Sequence, residues 1–158
     1  HSGLACRNGI IVDARSVTDD PDIVAAGDCT MHYNGFLARE IRLESVQNAV
    51  DQAKVAAASL CGQDKPYAAV PWFWSDQYDV KLQMAGIGQP HGKYVVRGDI
   101  GPGGFSIFYF NKGVLLGADS INRPADHMVC RKLLTNRITI KPEQVGDLEF
   151  DLRQAVQS

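Results

Sequence analysis

The chain has 158 residues, a formal net charge of −2 and a hydrophobic content of 45%. This length suits one domain, or one domain with part of another, and the hydrophobic content is enough for an ordinary core. The small negative charge gives no basic field for nucleic acid, and no apolar run approaches the length of a membrane span. The sequence therefore predicts neither nucleic acid nor membrane as a partner.

Two short strands and a glycine–aspartate pair open the chain. Gly9 to Ala14 and Ile23 to Ala26 predict a hairpin-like pair of strands, the second short and buried. Gly27 then removes a side chain where a ligand would approach, and Asp28 places a carboxylate at the carboxyl end of that strand. Ligands of open α/β sheets bind at this end, where a carboxylate accepts strong hydrogen bonds from hydroxyl groups. The pattern indicates a polyol site, with a solvated loop carboxylate or a helix N-cap as the alternative.

A long helix is predicted next, from about Ser45 to Leu60. Ser45 suits an N-cap. The apolar residues at helical spacing are Val46, Ala49, Val50, Ala53, Ala56, Ala57 and Leu60. Free amides and the positive dipole end at the helix start suit an electron-rich ring that gains negative charge on reduction, as a flavin does. Arg42 and Glu44 fit equally well as ordinary surface charges.

The pattern changes near Gln63 to Pro66, and an antiparallel sheet is predicted after it. The predicted strands are Val80 to Met84, Tyr94 to Arg97, Phe105 to Phe110 and Val114 to Ala118, with Asn111 to Gly113 as a tight turn. A helix from Pro124 to about Leu134 and a short helix or turn from Lys141 to Val145 complete the pattern. The fold class is therefore α+β, with residues 1–62 a piece of a nucleotide-binding α/β domain and residues 63–158 an α+β domain.

The glycine-rich run and the cysteines define no site of their own. Gly98 to Gly104 lies between two predicted strands rather than between a strand and a helix, so it is interpreted as a loop and not a phosphate cradle. Cys6, Cys29, Cys61 and Cys130 lack C-x-x-C spacing. We expect them to be reduced and mostly packed, which favours the cytoplasm.

The histidines and the aromatic run are also ambiguous from the sequence. His32, His91 and His127 lack metal-ligand spacing, so they are interpreted as surface or loop residues and no metal site is predicted. Three aromatic residues stand together at 72–74, and core packing is the usual role of such a run.

Three blocks of sequence are more specific. They are GIIVDARSVTDDPDIVAAGDC, RLESVQNAVDQA and VPWFWSDQYDVKLQMAG. In order and spacing they resemble FAD-dependent ferredoxin reductases of bacterial oxygenase systems, the putidaredoxin reductase type. The resemblance runs from Gly3 to about Leu152 and matches only the carboxyl-terminal part of those enzymes. It implies that the chain is a carboxyl-terminal fragment whose amino-terminal half is missing.

The resemblance implies an FAD site without a catalytic side chain, because the cofactor carries the redox chemistry. The implied cofactor-binding residues are Gly27, Asp28, Val46, Gln47 and Trp74. Val46 offers only its backbone amide, with Gln47 as a weaker neighbour. Trp74 would lie against the flavin and keep water away. Trp72 and Phe73 have no such counterpart and remain core candidates.

The implied activity is electron transfer from NADH or NADPH through FAD to a [2Fe–2S] ferredoxin. Both dinucleotide fingerprints of the full oxidoreductase are absent from these residues, so the chain alone is expected to be inactive. Its contribution to a ferredoxin-docking face would come from basic residues that steer an acidic partner. They are Arg39, Arg42, Arg97, Arg131, Lys132 and Arg137.

Two alternatives stay open. In the first alternative to the ferredoxin reductase, the chain is a non-catalytic module for dimerisation or partner docking. In the second, it belongs to another flavoprotein branch, such as a rubredoxin, nitrite or monodehydroascorbate reductase. Residues 1–60 alone would expose apolar strand edges, which leaves a homodimer open. The sequence motif WFWSDQ favours the ferredoxin branch. Pro90-His91 reverses the His-Pro order of the related disulfide reductases, which argues against disulfide reduction.

Overall fold

A computed structural model describes residues 3–88, 92–101 and 103–157, so the predicted Pro90-His91 feature lies outside the described residues. The chain divides into two compact units, His1–Pro71 and Trp72–Ser158. The segment after the predicted boundary at residue 62 packs with the first unit. There the Tyr67 amide donates to the Ala14 carbonyl at 2.7 Å, and the Tyr67 hydroxyl donates to Asn48 Oδ1 at 3.0 Å.

The first unit contains a small mixed sheet and one long helix. Strand β1 is Ile10–Val12, β2 is Thr30–Asn34, β3 is Arg39–Ile41, and helix α1 is Val46–Leu60. Strand β1 pairs with β2 in parallel, and β2 pairs with β3 antiparallel. The parallel partner of β1 is therefore the strand that follows the Gly27-Asp28 pair.

The prediction of a buried strand from Ile23 to Ala26 is wrong. Only Val24 makes a bridge there, an isolated antiparallel pair with Val17. The neighbouring backbone groups bond within a local loop, since the Ile23 carbonyl accepts from Thr18 and the Ala25 amide donates to Ser16, both at 3.0 Å. Ile23 is 38% exposed, so the apolar run is not a core strand.

Helix α1 confirms the predicted bounds but not the predicted face. Ser45 is the N-cap, and its hydroxyl accepts from the Asn48 amide at 3.1 Å. The buried residues include the polar side chains Asn48 and Gln52, whereas Val46 and Leu60 are 62% and 69% exposed. The buried face therefore combines these two hydrogen-bonded polar residues with the apolar residues Val55, Ala56 and Ala58.

The second unit confirms the predicted antiparallel sheet and the α+β class. Its strands are β4 Trp72–Gln77, β5 Val80–Gly86, β6 Lys93–Gly98, β7 Phe105–Asn111 and β8 Val114–Ile121, in the order β4-β5-β8-β7-β6. Its helices are α2 Pro124–Thr135, α3 Pro142–Gly146 and α4 Gln154–Gln157. The predicted tight turn has φ of 48° at Lys112 and 82° at Gly113, as a two-residue β-hairpin turn requires.

The core of this unit lies where β7 and β8 meet α2. Phe108 and Phe110 have no exposed surface, and Cys130 and Leu133 of α2 are equally enclosed. The described residues between β6 and β7, whose ends pair at Gly98 and Phe105, form a loop, as predicted for the glycine-rich run. Phe73, expected in the core, is instead 38% exposed, because β4 is an edge strand.

Arg97 is structural rather than part of a docking face, which corrects its predicted role. It is 6% exposed and donates to the carbonyls of Val145 and Phe150 at 3.0 and 2.9 Å. Its Nε lies 3.7 Å from a carboxylate oxygen of Asp126, which is also buried. Arg97 therefore ties the segment that contains α3 to the sheet.

Three of the four thiols are exposed, contrary to the expectation that most would be packed. All four cysteines are free, and only Cys130 is buried, which raises the pKa of its thiol. Cys6 makes an isolated bridge with Ile10, Cys29 lies in the turn before β2, and Cys61 is the C-cap of α1. Over the described ranges, no helix combines the length and apolarity that a membrane span requires.

Replacing Arg97 with methionine should lower the free energy of unfolding of the second unit by about 3 kcal/mol, because buried carbonyls and the Asp126 carboxylate lose their charged partner. Chemical denaturation followed by tryptophan fluorescence measures this, since both tryptophans lie in β4. Lys93→Met on the same strand is the control, because Lys93 is exposed and approaches Glu143 only at 3.9 Å. Equal stability of the two variants would contradict the assignment.

Candidate functional site

Asp28 lies in a tight turn immediately before β2. The Gly27 carbonyl accepts from the Thr30 amide at 3.0 Å, and the Thr30 hydroxyl oxygen lies 2.9 Å from the same carbonyl. Gly27 has φ of +84°, and a Cβ added to it would lie 3.3 Å from the Cβ of Ala49 in α1. The glycine is thus required for the turn and for close packing on the helix. Asp28 does not follow a strand, as the sequence predicted, but precedes one.

The Gln52 carboxamide fixes this turn to α1, a role that sequence analysis missed. Gln52 is 1% exposed. Its Oε1 accepts from the Gly27 amide and from the Thr30 hydroxyl, both at 2.7 Å. The signal in the sequence is a pair of amide side chains at i and i+4, Asn48 and Gln52, opposite the apolar residues of the helix.

His32 is buried in β2 behind the same carboxamide, which corrects its predicted place on the surface. Because the Gly27 amide can only donate, it fixes the Gln52 oxygen on its side, and the Gln52 Nε2 then donates to His32 Nδ1 at 3.1 Å. The proton of the neutral ring is then on Nε2. Burial lowers the pKa of His32. The Tyr67 ring meets His32 edge-on, with ring centroids 5.1 Å apart. Burial, together with the negative charge of Asp51, raises the pKa of Tyr67 to about 12.

The start of α1 leaves backbone donors available. The Asn48 and Ala49 amides bond to Ser45, through its hydroxyl and its carbonyl. Among the described residues, no acceptor faces the amides of Val46 and Gln47. The Gln47 side chain donates to Asp51 at 2.8 Å, so the backbone of Gln47, rather than its carboxamide, is free for a ligand.

Asp28 presents an exposed carboxylate next to Gly27, the residue that packs on α1. Gly27 packs on Ala49, in the first turn of α1, so the next residue adjoins the helix start. Arg42, which follows β3, holds the turn through its Nε, which donates to the Asp28 backbone carbonyl at 2.8 Å. A terminal nitrogen of the same guanidinium pairs with the Glu44 carboxylate. Within the described ranges, nothing bonds to the carboxylate itself. Two amide donors and one carboxylate acceptor are thus fixed on one framework.

Trp74 belongs to the second unit, where it stands on the edge strand β4. It is 38% exposed and stacks on Trp72, with ring centroids 5.3 Å apart and an interplanar angle of 29°. The structure therefore assembles Gly27, Asp28, Val46 and Gln47 in the first unit and an exposed indole in the second. The described residues contain no group of His, Cys, Asp and Glu side chains able to hold a metal ion.

His127 of α2 lies beneath this aromatic pair, again contrary to the predicted surface position. It is 1% exposed, and its ring lies 6.0 Å from that of Trp72. Neither ring nitrogen has a hydrogen-bond partner among the described residues. Burial, with a smaller effect of Arg131, lowers the pKa of His127 to about 4, so the ring is neutral at neutral pH.

The comparisons with known proteins identify the second unit. A family model described as Reductase C-terminal matches residues 72–156, more than half of the chain. The chain belongs to the Reductase C-terminal family. Rhodocoxin reductase of Rhodococcus erythropolis is 49% identical over 98% of this chain and 36% of its own length.

Two solved structures resemble this Reductase C-terminal member over nearly all of the chain. A ferredoxin reductase from Rhodopseudomonas palustris is 46% identical with a TM-score of 0.92, covering 98% of this chain and 38% of that one. The reductase in a covalent putidaredoxin reductase–putidaredoxin complex is 36% identical with a TM-score of 0.92, covering 99% and 37%. The predicted likeness to the carboxyl-terminal part of this reductase type is confirmed, and the chain spans less than two fifths of these relatives.

Replacing Gln52 with leucine should lower the free energy of unfolding of the first unit by about 2 to 3 kcal/mol, because the buried Gly27 amide loses its acceptor and His32 Nδ1 loses its donor. Amide hydrogen exchange at Gly27 and Thr30 measures the local effect. Gln63→Leu, the same change at an exposed position, is the control and should stay within about 0.5 kcal/mol. Retained protection at Gly27 in Gln52→Leu would contradict the bridging role.

The stability of the second unit should fall as the pH drops from about 6.5 to about 4. A histidine in the unfolded chain binds a proton near its ordinary pKa of 6.5, whereas folded His127 resists protonation down to about 4. Over that window the unfolded state binds more protons and is favoured. Unfolding midpoints followed by tryptophan fluorescence should show this decline in the unaltered chain and a flatter profile in His127→Leu. An equal slope in both would contradict the assignment.

Proposed function

We propose that this chain is the carboxyl-terminal part of a flavoprotein that transfers electrons from NADH or NADPH through FAD to a [2Fe–2S] ferredoxin of an oxygenase system. The similarity to reductases named for rhodocoxin and putidaredoxin supports the reaction class. The unmatched amino-terminal part of such a reductase would be the first partner of this chain, and the ferredoxin the second.

The observation that carries the proposal is the pairing of free amides with an exposed carboxylate at the start of α1. An isoalloxazine pyrimidine ring offers carbonyl and nitrogen acceptors, which match the amides of Val46 and Gln47. A ribityl chain offers hydroxyl donors, which match the Asp28 carboxylate. The donor set of the first unit therefore fits FAD. When bound, FAD would supply the hydride and single-electron chemistry, which no side chain here supplies.

The chain's own residues would bind, orient and shield the cofactor. Gln52 and Arg42 hold the Gly27-Asp28 turn against α1, so the carboxylate is positioned before a ligand arrives. The positive end of the α1 dipole would stabilise negative charge at the pyrimidine end of the ring. Trp74, exposed on β4, would cover the ring and exclude water.

The surface of α2 would contribute to ferredoxin docking. Lys132 is exposed near the end of this helix, and Met128, half exposed on the same helix, supplies an apolar contact. A basic residue here would increase the encounter rate with an acidic partner. The four free thiols support a reducing compartment, and we place the protein in the cytoplasm. The exposed apolar side of α1 also leaves room for a homodimer.

Flavin retention tests the proposal. This chain would replace the matched segment of rhodocoxin reductase, and bound FAD would be measured by visible absorption after purification. We expect stoichiometric flavin, with affinity about tenfold to hundredfold weaker in Asp28→Ala, because a charged acceptor of hydroxyl groups is lost. Flavin bound by the 158-residue chain alone would show that this chain forms an FAD site without the unmatched amino-terminal part.

Asp22→Ala is the matched control, since Asp22 is an exposed carboxylate in the loop that precedes Gly27. It should leave flavin affinity unchanged. A folded chimera without FAD, or equal affinity in Asp28→Ala and the unaltered chain, would contradict the proposal and favour a non-catalytic docking module.

A further inference from the structure

The two tryptophans form a stack that only one neighbouring strand supports. Trp72 and Trp74 are the only tryptophans in the sequence, and they stand two residues apart on one face of β4. This strand is at the sheet edge and pairs only with β5. An edge strand offers no cross-strand neighbour on its outer side, so the indoles need another contact to fix their orientation.

Arg131 of α2 supplies such a contact. Its guanidinium carbon lies 4.1 Å from the centroid of the Trp72 ring. In the part of the chain that the structure describes, the ion pairs with carboxylates are made by other cations and none includes Arg131. The Trp72 ring is therefore the partner that the structure gives to this charge, and a guanidinium over an indole is a favourable cation–π pair.

The other group beside Trp72 does not compete for this role. His127 lies 6.0 Å from the ring and is neutral at neutral pH, because burial lowers its pKa to about 4. Arg131 is thus the cation at Trp72. The next residue, Lys132, is exposed, so two adjacent positive charges on one helix have different surroundings.

We propose that Arg131 is a positioning residue, whose guanidinium holds Trp72 and, through the indole stack, sets the orientation of Trp74. The consequence for electron transfer rests on the proposed function, in which Trp74 covers FAD. The planar guanidinium suits this role better than an ammonium group. Of the two neighbouring cations, Lys132 is then the one available to a ferredoxin.

Circular dichroism of the 158-residue chain tests the stack directly. Stacked indoles couple and give paired bands of opposite sign, and no other tryptophan contributes. Arg131→Gln should reduce this couplet by about half or more, whereas Lys132→Gln, which removes the same charge one residue away, should leave it unchanged. Arg131→Lys should retain part of the signal. Arg131→Met, which keeps the apolar stem without the charge, should lose it.

An unchanged couplet in Arg131→Gln and Arg131→Met would overturn the proposal, as would an equal loss in Lys132→Gln. Thermal unfolding followed by the helical signal identifies any variant that fails to fold. In that case the comparison of Arg131→Lys with Arg131→Met decides, because retention in the first and loss in the second require the charge over the ring.

Turnover in the flavin-containing chimera separates this inference from the proposed function. If Trp74 covers the flavin, Arg131→Gln should lower kcat for ferredoxin reduction with little change in KM, whereas Lys132→Gln should mainly raise KM. Loss of the couplet with unchanged kcat would support Arg131 as the residue that orders the stack and would contradict the placement of Trp74 against the cofactor.

Discussion

A buried carboxamide joins the long helix of the first unit to the turn that carries Asp28. Gln52 accepts from the Gly27 amide and the Thr30 hydroxyl and donates to His32, so each of its polar atoms is used. A buried group that is fully satisfied in this way orders its neighbours, because any shift leaves a polar atom without a partner. The position of Asp28, the burial of His32 and the orientation of α1 all depend on these bonds.

The second unit uses the same principle with charged groups. Asp126 accepts from the Ser106 hydroxyl, whose oxygen lies 2.9 Å from the Ser120 hydroxyl, and Arg123 and Arg97 lie against the carboxylate. This polar cluster joins two central strands to the start of α2. Since α2 also carries His127 and Arg131, the network fixes the helix face that lies against Trp72.

The buried face of α1 differs from the one that the apolar spacing predicted, because it combines two hydrogen-bonded polar residues with Val55, Ala56 and Ala58. Val46 and Leu60 are exposed, while Asn48 and Gln52 are enclosed. A helix whose apolar residues remain exposed can bury them against further protein. The chain spans 36% of the length of rhodocoxin reductase, a relative that extends well beyond the matched region.

The sequence by itself determined the bounds of α1, its Ser45 cap, the antiparallel sheet and the Lys112-Gly113 turn, because each depends on neighbours a few residues apart. It also indicated Asp28, Val46, Gln47 and Trp74 as cofactor-binding residues, through the resemblance of its sequence motifs to a reductase family. Only the tertiary structure decided that residues 23–26 form a loop, that Gln52, Arg97, His32 and His127 are buried, and that Arg131 lies over Trp72. Those outcomes require partners distant in sequence, such as Gly27 for Gln52 and Phe150 for Arg97, and no local pattern specifies such a contact.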